Sequence, residues 1–336
     1  MTSIVLFGGR SDERHVSVAS AQNIARELSP PPPLCWFWTP EGAVHDVGPA
    51  ELLAHQRPFE IDYQPSRPAI WPTLEQALDT LPVDDPVFVL ALHGGEGEDG
   101  TVQRMMERRR IAFTGSGSAA SAAAFDKERA RQAVEDRVPV AESRVVRHPR
   151  QLDDGVRDML ARHERVVLKP VAGGSSRGLF FLGRRDAIPS VGVAYIVEQF
   201  LAGRELTVGV IDHDDGVVAL PVIEIETDPG FTFDYAGKYL GTGTREICPA
   251  KIPDSLRDAA QRAAVAAHLA LGCDGYSRTD LIATGGDEVR FLELNTLPGL
   301  TTSSLVPQEL AEAGIGFRAF LERQIELARQ RVHIAR

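Results

Sequence analysis

Two short apolar runs that end in glycine set the limits on what this chain can fold into. Ile4–Phe7 enters Gly8-Gly9-Arg10-Ser11-Asp12-Glu13, and Val87–Leu92, preceded by Pro86, enters His93-Gly94-Gly95-Glu96-Gly97-Glu98-Asp99-Gly100. An unbroken apolar run of this length marks a strand covered on both faces, as in parallel sheets. Loops at the carboxyl ends of such strands are where α/β proteins place ligands. A helix is expected from about Ser17 to Leu28, stopped by Pro30–Pro33, with Trp36–Trp38 as the next strand. The alternation predicts a doubly wound α/β unit over residues 1–113.

A small α+β lid is expected over residues 114–200. It opens with an Ala/Ser-rich helix carrying Asp126-Lys127 and continues through strand Arg165–Lys169, a Gly/Ser loop 173–178, and strands Leu179–Leu182 and Tyr195–Phe200. Residues 201–336 read as a C-terminal α+β unit. Its first helix carries Leu256, Ala260, Ala263, Ala267 and Leu271 at helical spacing before Gly272. Strands Arg278–Ile282 and Val289–Asn295 follow, and a last helix from about Phe317 carries Phe320, Leu321, Gln324 and Ala328 in one stripe.

Composition narrows the function. A formal charge of −11 argues against a dedicated nucleic-acid binder. No run approaches the ~20 apolar residues of a membrane span. Cys35, Cys248 and Cys273 are widely spaced and odd in number, which suits reduced thiols in a cytosol. The 36 basic residues include only four lysines, Lys127, Lys169, Lys238 and Lys251. A lysine kept in so arginine-rich a chain can mark a place for a compact ammonium that reaches phosphate, although chance explains any single one equally well.

On the strand Phe291-Leu292-Glu293-Leu294-Asn295, Glu293 and Asn295 share a face, and Asp280 on Arg278-Thr279-Asp280 has matching geometry. Two carboxylates and an amide oxygen suit Mg²⁺, which also takes substrate phosphates. An isolated E-x-N is more often a solvated strand face; the Asn295-Thr296-Leu297-Pro298-Gly299 loop tilts the balance, and Arg278 adds a cation beside the metal. Lys169-Pro170-Val171-Ala172-Gly173-Gly174-Ser175-Ser176-Arg177-Gly178 can wrap phosphate oxygens with backbone amides. Two lookalikes compete. Gly174–Gly178 matches a hydrolase G-x-S-x-G, which needs a helix after it where this chain has a strand. Gly115–Ala120 matches a dinucleotide G-x-G-x-x-A, after an apolar run of only Ile111–Phe113. A P-loop is excluded, since no lysine precedes Ser or Thr.

In this order the segments resemble the D-alanine–D-alanine ligases of the ATP-grasp superfamily. The resemblance runs through Gly8–Ser17, His93–Gln103, Phe113–Gly117 leading to Asp126-Lys127, Lys169–Gly178, Glu198–Glu205, Phe233–Tyr239, Gly275–Asp280 and Glu293–Pro307. It implies an ATP-grasp fold and an ATP-dependent, cytoplasmic ligase that joins two D-alanines through an acyl phosphate, for peptidoglycan precursor synthesis. Lys127, Lys169 and Lys238 would contact the nucleotide phosphates, and Glu198 and Glu205 the adenine–ribose end. Asp280, Glu293 and Asn295 would bind two Mg²⁺, with Mn²⁺ able to substitute. Glu13 would pair with the first substrate's ammonium, with His93 beside it; Arg278 and Gly299 would stabilise the oxyanion. Ser304 and Leu305 would hold the second substrate's carboxylate, and Ser175 and Tyr239 would close the lid with Glu13. Tyr239 favours dipeptide over depsipeptide. The family suggests a homodimer. Gln199 stands where a Lys is common, and Val171–Gly173 and Arg177 also depart from the pattern. The alternatives are a ligase joining D-alanine to another D-amino or hydroxy acid, a non-catalytic ATP-binding relic and, more remotely, an NAD-dependent oxidoreductase.

Overall fold

A computed structural model describes residues 2–148, 151–173, 178–213, 216–228 and 243–334. The first sheet contains β1 (Ser3–Gly8), β2 (Leu34–Trp38), β3 (Val44–Val47), β4 (Val87–Leu90) and β5 (Ala112–Phe113), ordered β3-β2-β1-β4-β5. All pairs are parallel except β2–β3. The strand order reverses between β1 and β4, so the Gly8–Glu13 and His93–Gly100 loops flank a topological switch point. Helices α1 (Arg14–Glu27), α2 (Pro49–Ala54), α3 (Leu74–Asp79) and α4 (Thr101–Arg108) belong to this unit. Every side chain from Ile4 to Phe7 and from Val87 to Leu90 is buried, as the apolar runs required.

Helix α1 starts at Arg14, three residues before the expected Ser17. Ser11 supplies the reason: its hydroxyl accepts the Glu13 N–H at 3.1 Å and its carbonyl accepts the Arg14 N–H at 3.2 Å, which satisfies the first amides. Ser17 does not cap. It lies buried, and its Oγ accepts the Gly8 N–H at 2.7 Å, tying the first turn to the helix behind it.

The second sheet, β6-β9-β7-β8, contains β6 (Ser143–Val146), β7 (Arg165–Pro170), β8 (Phe180–Gly183) and β9 (Tyr195–Gln199). β7 and β8 are antiparallel partners, so the Gly/Ser segment joins two strands and the hydrolase elbow is ruled out. The expected single helix around Asp126 is two helices, α5 (Ser118–Phe125) and α6 (Lys127–Val134). Asp126 leaves the helical conformation and its carboxylate accepts the Glu128 and Arg129 N–H groups at 3.0 and 3.1 Å, so Lys127 becomes the first residue of a capped helix. Helix α7 (Leu152–Arg162) packs on the second sheet, whereas Ala120, Ala124, Ala130 and Val134 join the core of the third.

The third sheet runs β13-β12-β10-β14-β15, with β11 paired to β10. Its strands are β10 (Arg204–His213), β11 (Gly216–Ala219), β12 (Ile223–Thr227), β13 (Thr244–Ile247), β14 (Tyr276–Gly285) and β15 (Glu288–Asn295). Helix α8 (Asp254–Ala270) buries Leu256, Ala260, Ala263, Ala264 and Ala267 against Leu206, Val208, Val210 and Leu281, which covers one face. Helices α9 (Leu305–Glu312) and α10 (Phe317–Ile334) follow.

The chain's last helix returns to the first unit. Phe320, Leu321, Ile325 and Ala328 share one core cluster with Phe88 and Val89. Arg331 fastens it, donating to the carbonyls of Phe113 at 2.5 Å and Gly115 at 2.6 Å and pairing with Asp274 at 3.1 Å. Hydrogen bonds to charged groups are worth about 1.5–3 kcal/mol each, and truncation leaves buried carbonyls without partners. Arg331→Ala is therefore expected to lower unfolding free energy by about 2 kcal/mol in urea denaturation; an unchanged midpoint would show that the helix docks through its apolar stripe alone.

Candidate functional site

The site is built from the uncovered face of the third sheet. In register, Arg278 on β14 lies opposite Gly209 on β10 and Asn295 on β15, and Asp280 lies opposite Thr207 and Glu293. Directly opposed residues of an antiparallel pair share a face, so these side chains stand together, and α8 occupies the other side. A bulge after Asp280 ends the row.

Arg278 and Asp280 form a bidentate pair, Nε–Oδ1 at 2.9 Å and Nη2–Oδ2 at 2.8 Å, and both side chains are nearly buried. The Thr207 hydroxyl donates to the same Asp280 Oδ1 at 2.6 Å. Asn295 Oδ1 accepts the Leu297 N–H at 2.9 Å, which shapes the start of the Gly299 loop. Lys127 Nζ donates to the Gly173 carbonyl at 2.7 Å and lies 3.5 Å from Glu293 Oε2, because the capped start of α6 aims it across the gap between two sheets. Lys169 Nζ lies 2.7 Å from Glu198 Oε2. Burial lowers the Lys169 ammonium's hold on its proton; Glu198 first, then Glu293 and Glu205, outweigh this and hold the group above its ordinary range.

Between the second and third sheets lies a cavity of about 1180 Å³. Lys127, Lys169, Glu198, Glu205, Asp280 and Glu293, six of the residues singled out in the sequence, line it together. Val167, Phe181, Leu201, Ile282 and Leu292 add apolar walls. Ser175, Lys238 and Tyr239 lie outside the described residues.

The switch-point loops meet the same region from the first unit. Glu13 precedes α1, and a methyl placed on Gly94 would lie 2.6 Å from Glu13 Oε2, so a bare backbone at 94 is what lets the carboxylate approach. His93 is buried, with Nδ1 donating to the Leu297 carbonyl at 3.1 Å. The Ser20 hydroxyl accepts the Leu300 N–H at 3.2 Å and lies 3.0 Å from His93 Nε2, to which it donates. Asn23 donates to the Leu300 carbonyl at 2.9 Å. Gly299 is thus held between groups from two units. Ser304 precedes α9, with its Oγ 2.7 Å from Thr301 Oγ1. Leu305 begins that helix with its side chain packed against Ile223 and Ile225.

The dinucleotide reading of Gly115–Ala120 fails on packing. A methyl on Gly115 would meet Leu297 at 3.2 Å, and Glu107 already accepts the Ser118 N–H and hydroxyl at 2.7 and 2.5 Å, so the helix N-terminus has its anion. All three cysteines are free, and burial pushes the Cys35 and Cys273 thiols up to about 12 and Cys248 to about 11, which makes them poor nucleophiles.

Sequence reasoning missed Thr207 and Glu309. Thr207 carries no motif and gains its role from register. Glu309 is completely buried, with Oε1 accepting the Gly209 N–H at 2.7 Å and Oε2 lacking a partner among the described residues. β10 pairs with β12 at Glu205–Thr207 and with β11 at Val210–His213, and Glu309 serves the amide left in the gap. The signal was Leu305-Val306-Glu309-Leu310, a buried helical stripe with an acid in it.

A lysine on a small sheet and another at a helix start, facing an acid–amide row on a larger sheet across a cleft, define an ATP-grasp ligase. Residues 2–116 match the D-ala D-ala ligase N-terminus and residues 138–326 the D-ala D-ala ligase C-terminus. The chain is 38% identical to a D-alanine–D-alanine ligase of Syntrophobacter fumaroxidans, covering 98% of this chain and 97% of that one. It is 38% identical to the corresponding ligase of Paramagnetospirillum magneticum, with 97% of each covered. Among solved structures, the VanG D-Ala:D-Ser ligase of Enterococcus faecalis superposes with a TM-score of 0.82 at 27% identity, covering 98% of this chain and all of that one. The D-alanine–D-alanine ligase of Coxiella burnetii gives 0.78 at 24%, covering all of this chain and 97% of that one, a likeness of fold. This chain belongs to the D-alanine–D-alanine ligase family. It is an ATP-dependent, ADP-forming ligase that joins D-alanine to D-alanine, and nothing supports the oxidoreductase alternative.

Burial drives the Glu309 carboxyl well above its ordinary 4.5, against the Gly209 hydrogen bond and the Arg278 charge, with Asp280 adding to the rise. The folded state therefore binds this proton more tightly than the unfolded chain. Glu309 costs no stability below pH 4.5, and its penalty grows as pH climbs towards the folded value. Glu309→Gln, which removes the ionisation, is expected to raise the melting temperature more at pH 8 than at pH 5. A gain equal at both pH values would contradict the buried neutral acid.

Proposed function

We propose that the cleft binds ATP with its phosphates over Lys127, Lys169 and Lys238 and its adenine–ribose end towards Glu198 and Glu205. The observation that carries this reading is the register placing Arg278, Asp280, Glu293 and Asn295 on one sheet face at the edge of a cavity bordered by Lys127 and Lys169. Both lysines rest on protein oxygens, an arrangement in which incoming phosphates replace one set of acceptors with another.

Asp280, Glu293 and Asn295 are hard oxygen donors, and a pair of carboxylates with one amide leaves coordination positions for phosphate oxygens. They fit two Mg²⁺, or Mn²⁺, whose chemistry when bound is to neutralise and align the transferring phosphoryl group. The chain's own residues do the rest. Glu13 pairs with the ammonium of the first D-alanine and aims its carboxylate at the γ-phosphorus. The carboxylate oxygen forms a bond to phosphorus as the bond to ADP breaks, giving an acyl phosphate. The Leu305 N–H at the start of α9 and the Ser304 hydroxyl hold the second D-alanine's carboxylate, where a helix N-terminus favours an anion. Its amine attacks the acyl carbon, loses a proton, and inorganic phosphate leaves. Arg278 and the Gly299 N–H stabilise the oxyanion, each donor typically worth about 3–4 kcal/mol. We assign His93 a supporting part: both ring nitrogens hold the Gly299 loop and Ser20, which leaves none for substrate while that network stands. Ser175 and Tyr239 join Glu13 in excluding water from the acyl phosphate. Tyr239 favours the amide product. We place the enzyme in the cytoplasm as a homodimer, supplying the dipeptide for peptidoglycan. Among the described residues, no helix is long and apolar enough to cross a membrane.

Phosphate release with Mg-ATP, comparing D-alanine, L-alanine and D-alanine plus D-lactate, tests the specificity, with products identified by mass. Release with D-alanine alone and D-alanyl-D-alanine as product is expected even when D-lactate is present; a depsipeptide would remove the role of Tyr239. Glu293→Gln is expected to lose metal-dependent turnover by at least about 100-fold with its melting temperature nearly unchanged. Normal turnover in that variant would end the metal assignment.

A further inference from the structure

Glu309 ties the helix that begins at Ser304 and Leu305 to the strand beside Arg278. It lies on α9, completely buried, and its Oε1 accepts the Gly209 N–H at 2.7 Å. From Leu305 to Glu309 the helix rises about 6 Å, so the tie sits one turn from the start of α9. The Gly209 carbonyl accepts the Leu220 N–H at 2.8 Å. Both backbone groups of Gly209 therefore point away from β14. That makes Gly209 and Arg278 a non-hydrogen-bonded pair, the kind whose side chains stand closest. Residue 209 has no side chain, and a methyl there would lie 2.5 Å from Glu309 Oε2. The Glu309 carboxyl thus fills the place beside Arg278 that a side chain at 209 would take, within the field of both Arg278 and Asp280.

The two ends of this tie are held differently. Arg278 is gripped by Asp280, and β10 is paired with β14 from Arg204 to Ile211. Helix α9 rests on apolar contacts of Leu305, Val306 and Leu310 and on a hydrogen bond from Gln308 to Glu246 of the edge strand β13. Apolar contacts are non-directional, whereas a hydrogen bond weakens steeply with angle. The apolar residues seat the helix, and the Glu309–Gly209 bond fixes its rotation and its height above the sheet.

We propose that Glu309 is a positioning residue for the second half-reaction: through the Gly209 amide it sets the Ser304–Leu305 turn at the height over Arg278 from which the second D-alanine's amine reaches the acyl carbon. The inference rests on assigning the second D-alanine to Ser304 and Leu305. A Glu309 that only satisfies a stranded amide predicts that its loss touches both half-reactions alike, or neither.

The test compares the natural full chain with Glu309→Leu and Glu309→Gln under Mg-ATP. Rate against D-alanine concentration gives separate KM values for donor and acceptor. The first half-reaction is read with dilute D-alanine and excess hydroxylamine, whose nitrogen attacks the acyl phosphate to give D-alanyl hydroxamate and phosphate without using the acceptor's carboxylate site. Glu309→Leu, close in volume but offering the Gly209 N–H no oxygen, is expected to raise the acceptor KM at least about tenfold. Its donor KM and hydroxamate rate should stay within about twofold of the natural chain. Glu309→Gln keeps an oxygen for the amide and should return the acceptor KM to within about threefold. Gly209→Ala reaches the same contact from the other side by pushing Oε2 away, should give the same split, and decides the matter if Glu309→Leu does not fold. An unchanged acceptor KM, or a hydroxamate rate that falls as far as the dipeptide rate, overturns the proposal. Ser304→Ala separates the two levels. If it raises the acceptor KM and Glu309→Leu does not, only the positioning role fails. If it leaves that KM unchanged, the acceptor site itself is misplaced and the role of Glu309 falls with it.

Discussion

The pairing register of β14 with its two neighbours is the constraint on which the site depends. Side chains alternate across a sheet, so a slip of one residue would send Arg278 and Asp280 into the alanine-rich packing of α8 and bring Thr279 and Leu281 to the cleft. Burial of Leu206, Val208, Val210 and Leu281 against α8 fixes that register through apolar contact, and the chemistry on the other face is its by-product. The bulge after Asp280 ends the polar row where the cavity wall turns apolar at Ile282 and Leu292. A core made of ordinary residues thus sets the geometry of an unusual surface.

Charge on that surface is kept in partnership. Arg278 is locked to Asp280, Lys169 to Glu198, and Lys127 spans a carbonyl and Glu293. In a cleft screened from water, an isolated ion would either shift its protonation or destabilise the fold by several kcal/mol. The resting network holds both lysines in place on protein oxygens, and Glu198 outweighs the burial that disfavours the Lys169 charge. The Gly299 loop follows the same economy of means: Ser20, Asn23 and His93 come from the first unit, yet they bond to backbone of residues 297–300 of the last. That arrangement ties the first unit to the backbone of residues 297–300 through three buried side chains.

Much of this was legible in the residues. The short apolar runs predicted β1 and β4 because burial on both faces leaves no polar alternation to disguise them. The E-x-N strand and R-x-D strand were readable as one face each, since period two is a local property. Other features were hidden for physical reasons. The break at Asp126 lay within a run of good helix formers, and only the bridge to Ala172 and the capping bonds reveal it. Ser17 stood at the expected start of the helix and is a buried acceptor, because the Ser11 turn had already satisfied the helix start.

By itself the sequence determined strands β1, β2, β4, β7, β8, β9, β14 and β15, though not β3, β6 or β10 to β13, together with the loops after β1 and β4 and the residue types that could handle phosphate and a hard cation. These are properties of periodicity, chain stiffness and donor chemistry that act over a few neighbours. Only the tertiary structure decided that α5 and α6 pack on the third sheet, that the last helix is clamped to the first unit by Arg331, and that Thr207 holds Asp280 while Glu309 holds the backbone of Gly209. Those depend on pairings between residues 70 to more than 200 positions apart, where register, burial and the absence of a Cβ at Gly209 select the partner, and no local pattern records the choice.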